Sequence, residues 1–461
     1  MKKSLITIAL LALSIYSAQG QEIITLDKCK ELALKNNARI KDSEIEVQIA
    51  QQQKKEAFTN YFPNVSSMGF GYMANKPMVS MEVDLSSQMQ PLISVLSPVI
   101  GWAMTNGVPV DPAALAGLQN QQPVKFEMLK NGLVAGVNAT QPLFAGGQII
   151  NGNRLAQTGV QVRELQKQMT ESEVLLSTEN YYWQLVSLNE KMKTIEQSES
   201  MLARILSDVK VAVENGLTTR NDLLRVELEQ NKLEVNRSLV ENGLQVLKLT
   251  LAQTIGIPSD SYNIHLPQFE EISLPATNVT AATMQNRTEY KLLCKSVDAA
   301  RLQVKMETGK NLPSLAIGAG YNVFRFDLHE DEGMTNDFGL AFASVSIPIT
   351  DWWGGSHDIK RKKLELEKAE NTRDENAELL LIQMQQISNE LNQAYNQVLI
   401  EKKSIKAAEE NLKISQDNYN AGITILSELL EAQNLLQQAT DRHTEALTCY
   451  FTKLAEWKSI F

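Results

Sequence analysis

Few side chains in this sequence are spaced in a way that could support chemistry, and the clearest pair is acidic. Glu428 and Glu431 are three residues apart, so on a helix their carboxylates share one face. Carboxylates gathered at a narrow opening attract cations. Two acids on one helix face are more often solvated surface, so the pair by itself indicates no site.

Two glycine turns lie at the ends of long periodic segments, and one of them is close to the acids. Their sequences are Asn215-Gly216-Leu217-Thr218 and Ala421-Gly422-Ile423-Thr424. Helices commonly end at a glycine in the left-handed conformation. We therefore expect Gly216 and Gly422 each to end a long helix, and on spacing alone each turn is an ordinary connection.

Other motifs with chemical roles are missing from the sequence or lie in the wrong context. There is no GxxxxGK[ST] and no HExxH, and the four histidines are scattered. The Gly-x-Gly segments at 69–71 and 318–320 lie inside predicted strands and open no helix, so they do not match a dinucleotide fingerprint. Three cysteines without a CxxC argue against a disulfide scaffold or a zinc ribbon. We expect no enzyme, no cofactor and no metal site.

Long helices are needed to position the acids and the turns. They are predicted at 148–214, 218–254, 357–420 and 423–458. Apolar residues recur in them every seven positions, as at Met384, Leu391 and Val398, which indicates packed, supercoiled helices. At 1.5 Å per residue, the helix 148–214 would be about 100 Å long. Helices of this length are typical of a rod or a tube.

The sequence contains an internal duplication. Pro63 and Pro313 are 250 residues apart, whereas Gly216 and Gly422 are 206 apart, so the first copy carries about 44 extra residues between 72 and 132. Each copy has the order helix, strand pair, long helix, glycine turn and second long helix; the opening helices are predicted at 27–58 and 279–309. The predicted organisation is a first repeat at 21–258, a linker at 259–278 and a second repeat at 279–461.

Two strand pairs are predicted, at 64–73 with 132–144 and at 314–324 with 338–349. Leu315 and Ile317 alternate with small residues, a pattern that suits a membrane barrel with one apolar face. We expect Phe338, Leu340 and Phe342 to face outward as well, and a bulge to shift the phase before Val345 and Ile347. Four strands cannot close a barrel, so several chains would have to contribute.

Each strand pair is followed by a proline and a double glycine. These residues are Pro142, Gly146 and Gly147 in the first copy, and Pro348, Gly354 and Gly355 in the second. Proline ends ladder pairing and glycine permits unusual backbone angles. We expect the sheet to give way to the long helix at these positions.

Composition and the N-terminus indicate an exported protein. Apolar residues make up 43% of 461, which is enough for a large core, and the net charge of −10 argues against nucleic-acid binding. Residues 1–20 combine two lysines, a short apolar run and Ala18-Gln19-Gly20, as in a signal peptide, so the mature chain is expected to start near Gln21. No later stretch reaches 18 uninterrupted apolar residues, which leaves strands as the way to span a membrane.

This order of elements resembles the TolC-like outer membrane efflux proteins, over nearly all of 24–461. The resemblance rests on the duplicated helix, strand pair and helix hairpin, and on the segments QPLFAGG (141–147), GLT (216–218) and GIT (422–424). It implies a mainly α homotrimer with four strands per chain in a twelve-stranded outer-membrane β-barrel, continuous with a periplasmic helical tube. Residues 74–131 would form a long extracellular loop.

The resemblance also implies roles for the residues at the helix turns. The tips at Gly216, Leu217 and Thr218 and at Gly422, Ile423 and Thr424 match the family's adaptor-docking positions. Glu428 and Glu431 match its ring of entrance carboxylates, and Asp222 and Tyr419 match its closed-state network. The family's arginine partner falls at Thr424 here, and Arg220 or Arg225 could take its place.

The implied function is passive export of drugs, toxic compounds, metals or proteins. The implied partners are a periplasmic adaptor protein, an inner-membrane transporter of the RND or ABC type, and the lipid of the outer membrane of a Gram-negative bacterium. The residues leave one alternative open, an exported trimeric coiled-coil stalk or adhesin. The duplication favours the channel, because a stalk needs one helix per chain and gains nothing from two matched strand pairs.

Overall fold

A computed structural model describes most of the chain. The described residues are 22–106, 123–128, 130–259, 262–267, 272–276, 279–329, 332–349 and 351–460. The predicted signal peptide lies outside them. The chain forms two compact units, a helical unit of the described residues within Met1–Lys54, Arg154–Gln303 and Arg361–Phe461, and a sheet unit of those within Lys55–Asn153 and Val304–Lys360. Each unit takes segments from both sequence repeats, whose boundaries stay a prediction.

Helices make up most of the described chain. They are α1 (Leu26–Asn36), α2 (Ala38–Thr59), α3 (Leu85–Thr105), α4 (Gln148–Glu214), α5 (Arg220–Ile255), α6 (Ala281–Asn286), α7 (Thr288–Lys310), α8 (Asp351–Asn420) and α9 (Leu426–Ile460). The long helices α4, α5, α8 and α9 lie where the seven-residue periodicity predicts them. None of the described helices is both long and apolar enough to cross a membrane.

Two helices predicted as continuous are each divided in the structure. Asn37, with φ −60° and ψ 131°, separates α1 from α2, and Arg287, with φ −63° and ψ 141°, separates α6 from α7. The two breaks are 250 residues apart, the offset of the duplication. The Asn37 side chain stabilises its break, because its amide donates to the carbonyl of Thr254 (2.9 Å) and its oxygen accepts from the backbone of Arg39 (2.9 Å).

The strands of the described residues form three small sheets. They are β1 (Glu22–Ile24), β2 (Asn64–Met73), β3 (Val79–Val83), β4 (Val124–Met128), β5 (Asn131–Ala145), β6 (Tyr262–Ile264), β7 (Ser314–His329) and β8 (Glu332–Ser346). The main sheet has the order β2-β5-β7-β8, and all of its pairings are antiparallel. β1 pairs with β6 in parallel, and β3 pairs with β4 in an antiparallel ladder.

The segment 74–131 differs from the simple loop that the sequence suggested. It contains β3, α3 and β4, and the described part of it extends the β2–β5 hairpin through a hydrogen bond from the backbone of Ala74 to that of Lys130 (2.8 Å). The first repeat therefore carries a small folded insertion.

The aromatic side chains of β8 do not share a face with Leu315 and Ile317. Phe338, Leu340 and Phe342 lie opposite Asn322, Gly320 and Gly318 of β7, and directly opposed residues project from the same face of a sheet. The alternation in the sequence could not show this, because the register between strands decides which faces coincide. A Cβ on Gly318 would meet the ring of Phe342, so the glycine leaves room for it.

The predicted bulge before Val345 is also wrong. Val345 lies opposite Leu315, on the other face from Phe342, and the β7–β8 register runs without a shift between Ser314 and Asp327. β8 ends at Ser346, so Ile347 follows the strand. The change of phase in the sequence is real, but it places apolar side chains on both faces of a regular strand.

The helical unit is held by clusters of apolar side chains along the predicted seams. Met384, Leu391 and Val398 of α8 are buried, as are Val226 and Leu233 of α5. Residues spaced by seven on neighbouring helices meet in this way when the helices supercoil. The seam predicted from the sequence is confirmed at these positions.

Candidate functional site

The turns between α4 and α5 and between α8 and α9 have the same backbone geometry. Gly216 and Gly422 each have φ +72°. The backbone of Leu217 donates to Ala212 (2.8 Å), and that of Ile423 donates to Asn418 (2.9 Å). These six-residue closures are the Schellman motif that ends helices at a left-handed glycine. The predicted conformation of both glycines is confirmed.

Both turns expose an aliphatic side chain to solvent. Leu217 is 81% exposed and Ile423 is 72% exposed. A hydrophobic side chain after a Schellman glycine usually packs back on its own helix. Here both project from the tips, so the two hairpins end in matched apolar points beside a threonine, at Thr218 and Thr424.

The first tip binds its own carboxylate. Oδ2 of Asp222 accepts hydrogen bonds from the hydroxyls of Thr218 (2.7 Å) and Thr219 (2.7 Å) and from the backbone of Thr219 (3.3 Å). The backbone of Asp222 donates in return to the Thr219 hydroxyl (3.3 Å), which completes a capping box at the start of α5. These hydrogen bonds lower the pKa of Asp222.

In the second tip, the corresponding carboxylate, that of Glu428, is not held by a capping hydroxyl. Glu428 is 206 residues after Asp222 and has the same place in its helix, but the residue before α9 is Ile425, which has no hydroxyl. Glu428 is exposed, and Glu431 is exposed one turn further along α9. The two tips therefore differ in the state of their acidic residue. Asp222 is hydrogen-bonded at the start of its helix, whereas Glu428 faces solvent.

A hydrogen bond joins the two hairpins just behind the tips. Nη1 of Arg225 donates to Oγ of Ser427 (2.7 Å), linking α5 to α9. Arg225 and Ser427 line a surface groove, and Glu431 lines it as well. The hydroxyl of Thr424, at the position of the family's arginine, is buried without a hydrogen-bond partner among the described residues. Of the two candidate substitutes, the structure gives Arg225 an inter-hairpin contact.

Tyr419 lies in the last turn of α8 and packs against the apolar cluster behind the tips. That cluster includes Val226 and Leu429, which are fully buried. Burial, together with the nearby carboxylates of Asp222 and Asp208, raises the pKa of Tyr419. The carboxylate of Asp222 therefore lies near enough to Tyr419 to act on its hydroxyl, and the role of both residues in a closed state stays a prediction.

The residues between sheet and helix differ in the two copies. Gly146 and Gly147 have φ +59° and +77°, as expected, and a Cβ on Gly146 would meet the backbone of Gly309. Gly354 and Gly355 instead lie within α8, which begins at Asp351, so the prediction of unusual backbone angles there is wrong. Pro348 follows the end of β8.

Pro142 does not end the pairing of its strand. β5 continues to Ala145, and its register against β7 shifts between Pro142 and Phe144 before pairing resumes. Proline has no backbone N–H to donate to the ladder, and this bulge accommodates it. The sheet therefore ends closer to Gly146 than the sequence indicated.

Comparisons with known sequences find similarity over part of the chain. Residues 283–456 match the model of a family described as outer membrane efflux protein. The outer membrane protein TolC of Salmonella enteritidis is 20% identical over 332 residues, 68% of this chain and 66% of its own length. TolC of Vibrio cholerae is 18% identical over 343 residues, 70% of this chain and 75% of its own.

Solved structures extend the similarity to nearly every residue. VceC from Vibrio cholerae matches with a TM-score of 0.70 at 14% identity, covering 94% of this chain and 95% of its own. CusC matches with a TM-score of 0.72 at 12% identity, covering 95% and 93%. The resemblance to outer membrane efflux proteins that the sequence predicted is confirmed by these matches. The chain's predicted TolC-like fold, its location in the outer membrane with a large periplasmic part, and its not being an enzyme are supported in the same way.

Two features of the site were missed by sequence reasoning. The capping box was legible as Thr219-Arg220-Asn221-Asp222, a Thr-x-x-acid pattern before an apolar run. The Arg225–Ser427 contact had no such signal, because its partners are 202 residues apart and meet through the packing of two hairpins.

Proposed function

We propose that this efflux channel protein is the outer membrane duct of a tripartite pump, a homotrimer that passively exports substrates delivered by an inner-membrane transporter. The observation that carries the proposal is the main sheet. In the order β2-β5-β7-β8, β2 and β8 are each paired on one side among the described strands. An unpaired strand edge is too costly in lipid, so three copies would join their edges into twelve strands.

The helical unit supports the same stoichiometry. α5 carries an apolar stripe that this chain leaves exposed. The stripe consists of Leu224, Leu228, Val235, Leu239, Val246 and Leu249. A stripe of this length on a soluble monomer would be unusual, whereas a neighbouring copy in a ring of twelve helices would cover it.

The tips are the proposed docking points of the periplasmic adaptor. Leu217 and Ile423 offer apolar anchors, and Thr218 and Thr424 lie beside them. The glycines at 216 and 422 have open space around them, which lets a partner backbone approach closely. The transporter behind the adaptor would be of the RND or ABC type.

The proposed entrance is a ring of carboxylates from Glu428 and Glu431 of three chains. Ile425 has no hydroxyl to cap the helix, so the carboxylate of Glu428 is available to ions. The carboxylate of Asp222 is less available, because it accepts hydrogen bonds from Thr218 and Thr219. A narrow mouth with such a ring prefers cations. Arg225 and Tyr419 are the proposed partners of Asp222 and Ser427 in holding the hairpins together when the mouth is closed.

Planar bilayers test the channel and its entrance together. We expect the purified protein to run as a crosslinked trimer and to conduct, with cations preferred. The double variant E428A/E431A should lose much of that preference and its block by multivalent cations. E375A/E378A, an exposed acidic pair of the same spacing on α8 far from the tips in sequence, should not. A protein that forms trimers but never conducts would support the alternative of a structural stalk, and unchanged selectivity in E428A/E431A would refute the ring.

A further inference from the structure

The two strand hairpins of the main sheet are copies of one unit. In the first hairpin, Asn64 of β2 lies opposite Thr140 of β5. In the second, Ser314 of β7 lies opposite Ser346 of β8. The offset is 250 residues between β2 and β7 and 206 between β5 and β8, and these are the two offsets of the duplication. All ten opposed pairs of β2 and β5 have their equivalents in β7 and β8, so the hairpins match residue by residue.

The junction between the two hairpins lies inside the chain. It joins β5, the second strand of the first hairpin, to β7, the first strand of the second hairpin. Ala139 lies opposite Ala319 there, and Gly136 lies opposite Asn322. The outer strands are β2 and β8. Since β8 is the equivalent of β5 and β2 is the equivalent of β7, β8 of one copy and β2 of the next can form the same antiparallel junction.

Both outer edges lack the features that keep edge strands apart. β2 contains no Asp, Glu, Lys, Arg or Pro in ten residues, and neither does β8 from 338 to 346. The ladder of β8 with β7 has no bulge over that stretch. Phe70 on β2 is 61% exposed and Phe342 on β8 is 40% exposed. Charges, prolines and bulges prevent edge-to-edge pairing in natural sheets, so these edges are suited to pairing with another strand.

We propose that β8 of one copy pairs with β2 of the next copy in the register that β5 and β7 have within the chain. Val345 then lies opposite Gly69 of the partner subunit, and Phe342 lies opposite Tyr72 of the partner subunit. The proposal rests on the trimer of the proposed function and names the side chains that meet at each of its three junctions. Two aromatic rings are opposed at this junction, at the place where the junction inside the chain has a glycine and Asn322.

The faces of the sheet agree with this register. Within one chain, Tyr72 and Phe342 project from one face, and Gly69 and Val345 project from the other. Directly opposed residues must share a face, and both proposed pairs do. A register shifted by one residue would bring opposite faces together. The alternatives to be tested are therefore registers shifted by two residues and pairing between like edges.

Disulfides between the two edges test the register. The matched pairs are V345C/G69C and, on the other face, S346C/M68C; neighbouring pairs alternate in spacing, so one of these two has the closer spacing. The controls shifted by two residues are V345C/S67C and V345C/G71C. A Cβ at Gly69 meets no atom within 4 Å, and one at Gly71 makes only ordinary contacts. The background is C294S/C449S, and Cys29 stays because it is fully buried.

The full-length protein in membranes is oxidised with copper phenanthroline and run on non-reducing denaturing gels. The two cysteines of one chain are on opposite edges of a four-stranded sheet, so every disulfide formed joins two chains. We expect a covalent trimer from the matched pairs and about tenfold less of it from the shifted pairs, whose cysteines would be about 7–8 Å apart, beyond the reach of a disulfide. The single variants V345C and G69C should form no covalent product.

Three results would overturn the proposal. The first is a higher yield from a shifted pair than from both matched pairs. The second is a covalent dimer from V345C or G69C alone, because like edges would then meet. The third is a lack of disulfides in both matched pairs. Glutaraldehyde crosslinking of the same samples reports separately on the trimer: a trimer without the expected disulfides rejects the register alone, whereas a chain that forms no trimer also refutes the proposed function.

Discussion

The two hairpin tips differ by one side chain that can be exchanged. Ile425 precedes α9 where Thr219 precedes α5, 206 residues earlier. Ile425 is 66% exposed, so replacing it removes little buried surface. I425T would supply the hydroxyl of a Thr-x-x-Glu capping box with Glu428. We expect the variant to tie the Glu428 carboxylate to its own helix, as Asp222 is tied in the first tip.

The size of the effect follows from the cap. A threonine in place of an aliphatic residue at a helix N-cap is worth about 1 kcal/mol. At room temperature, about 1 kcal/mol changes an opening equilibrium roughly fivefold. The backbone of Glu428 already lies 3.1 Å from the carbonyl of Ile425, the same distance as in the Asp222–Thr219 pair. No rearrangement of the turn is therefore needed.

Amide hydrogen exchange on the detergent-solubilised trimer measures the local opening equilibrium at the start of each helix. Peptides covering the start of α9 should exchange about fivefold more slowly in I425T, while those at the start of α5 stay unchanged. T219A should produce the converse change at α5, and I425A controls for the loss of the isoleucine. In planar bilayers I425T should reduce the cation preference less than E428Q does, because the charge is held and not removed. Exchange at α9 that is identical in I425T and I425A would refute the reasoning.

Other predictions follow from single contacts. G146A should lower the melting temperature and the yield of trimer, because a side chain at φ +59° costs about 1–2 kcal/mol and its Cβ would meet backbone; normal assembly would contradict this. L429A should cost about 3 kcal/mol in chemical unfolding, since Leu429 is fully buried. A maleimide should label exposed Cys449 in the folded chain and leave Cys29 unlabelled, because burial raises the pKa of Cys29 to about 12. Hydrogen bonds lower the pKa of Asp222, so its cap should be complete at pH values above the ordinary aspartate pKa and should be lost as the pH falls through the lowered pKa. Cleavage of the first tip by an acid protease should increase in that pH range. The variant D222N should remove this pH dependence.

Local signals in the sequence were sufficient for the elements with strong periodicity. The seven-residue seam predicted α4, α5, α8 and α9, because a helix that must bury one stripe repeats that stripe wherever it packs. The glycines at 216 and 422 predicted the turns, since the left-handed conformation is costly for other residues. A Thr-x-x-Asp pattern at 219–222 also carried enough information for the first cap.

Features that depend on distant partners were decided by the tertiary structure. The register between β7 and β8 set the face of Phe338 and Phe342, and no alternation within one strand contains that register. Packing of two hairpins brought Arg225 to Ser427. The sequence by itself thus determined the long helices, the turns and the first cap of this protein, because neighbours along the chain supply the energy for them. Which faces coincide, and which side chains meet across the two hairpins, was settled only where separate segments meet.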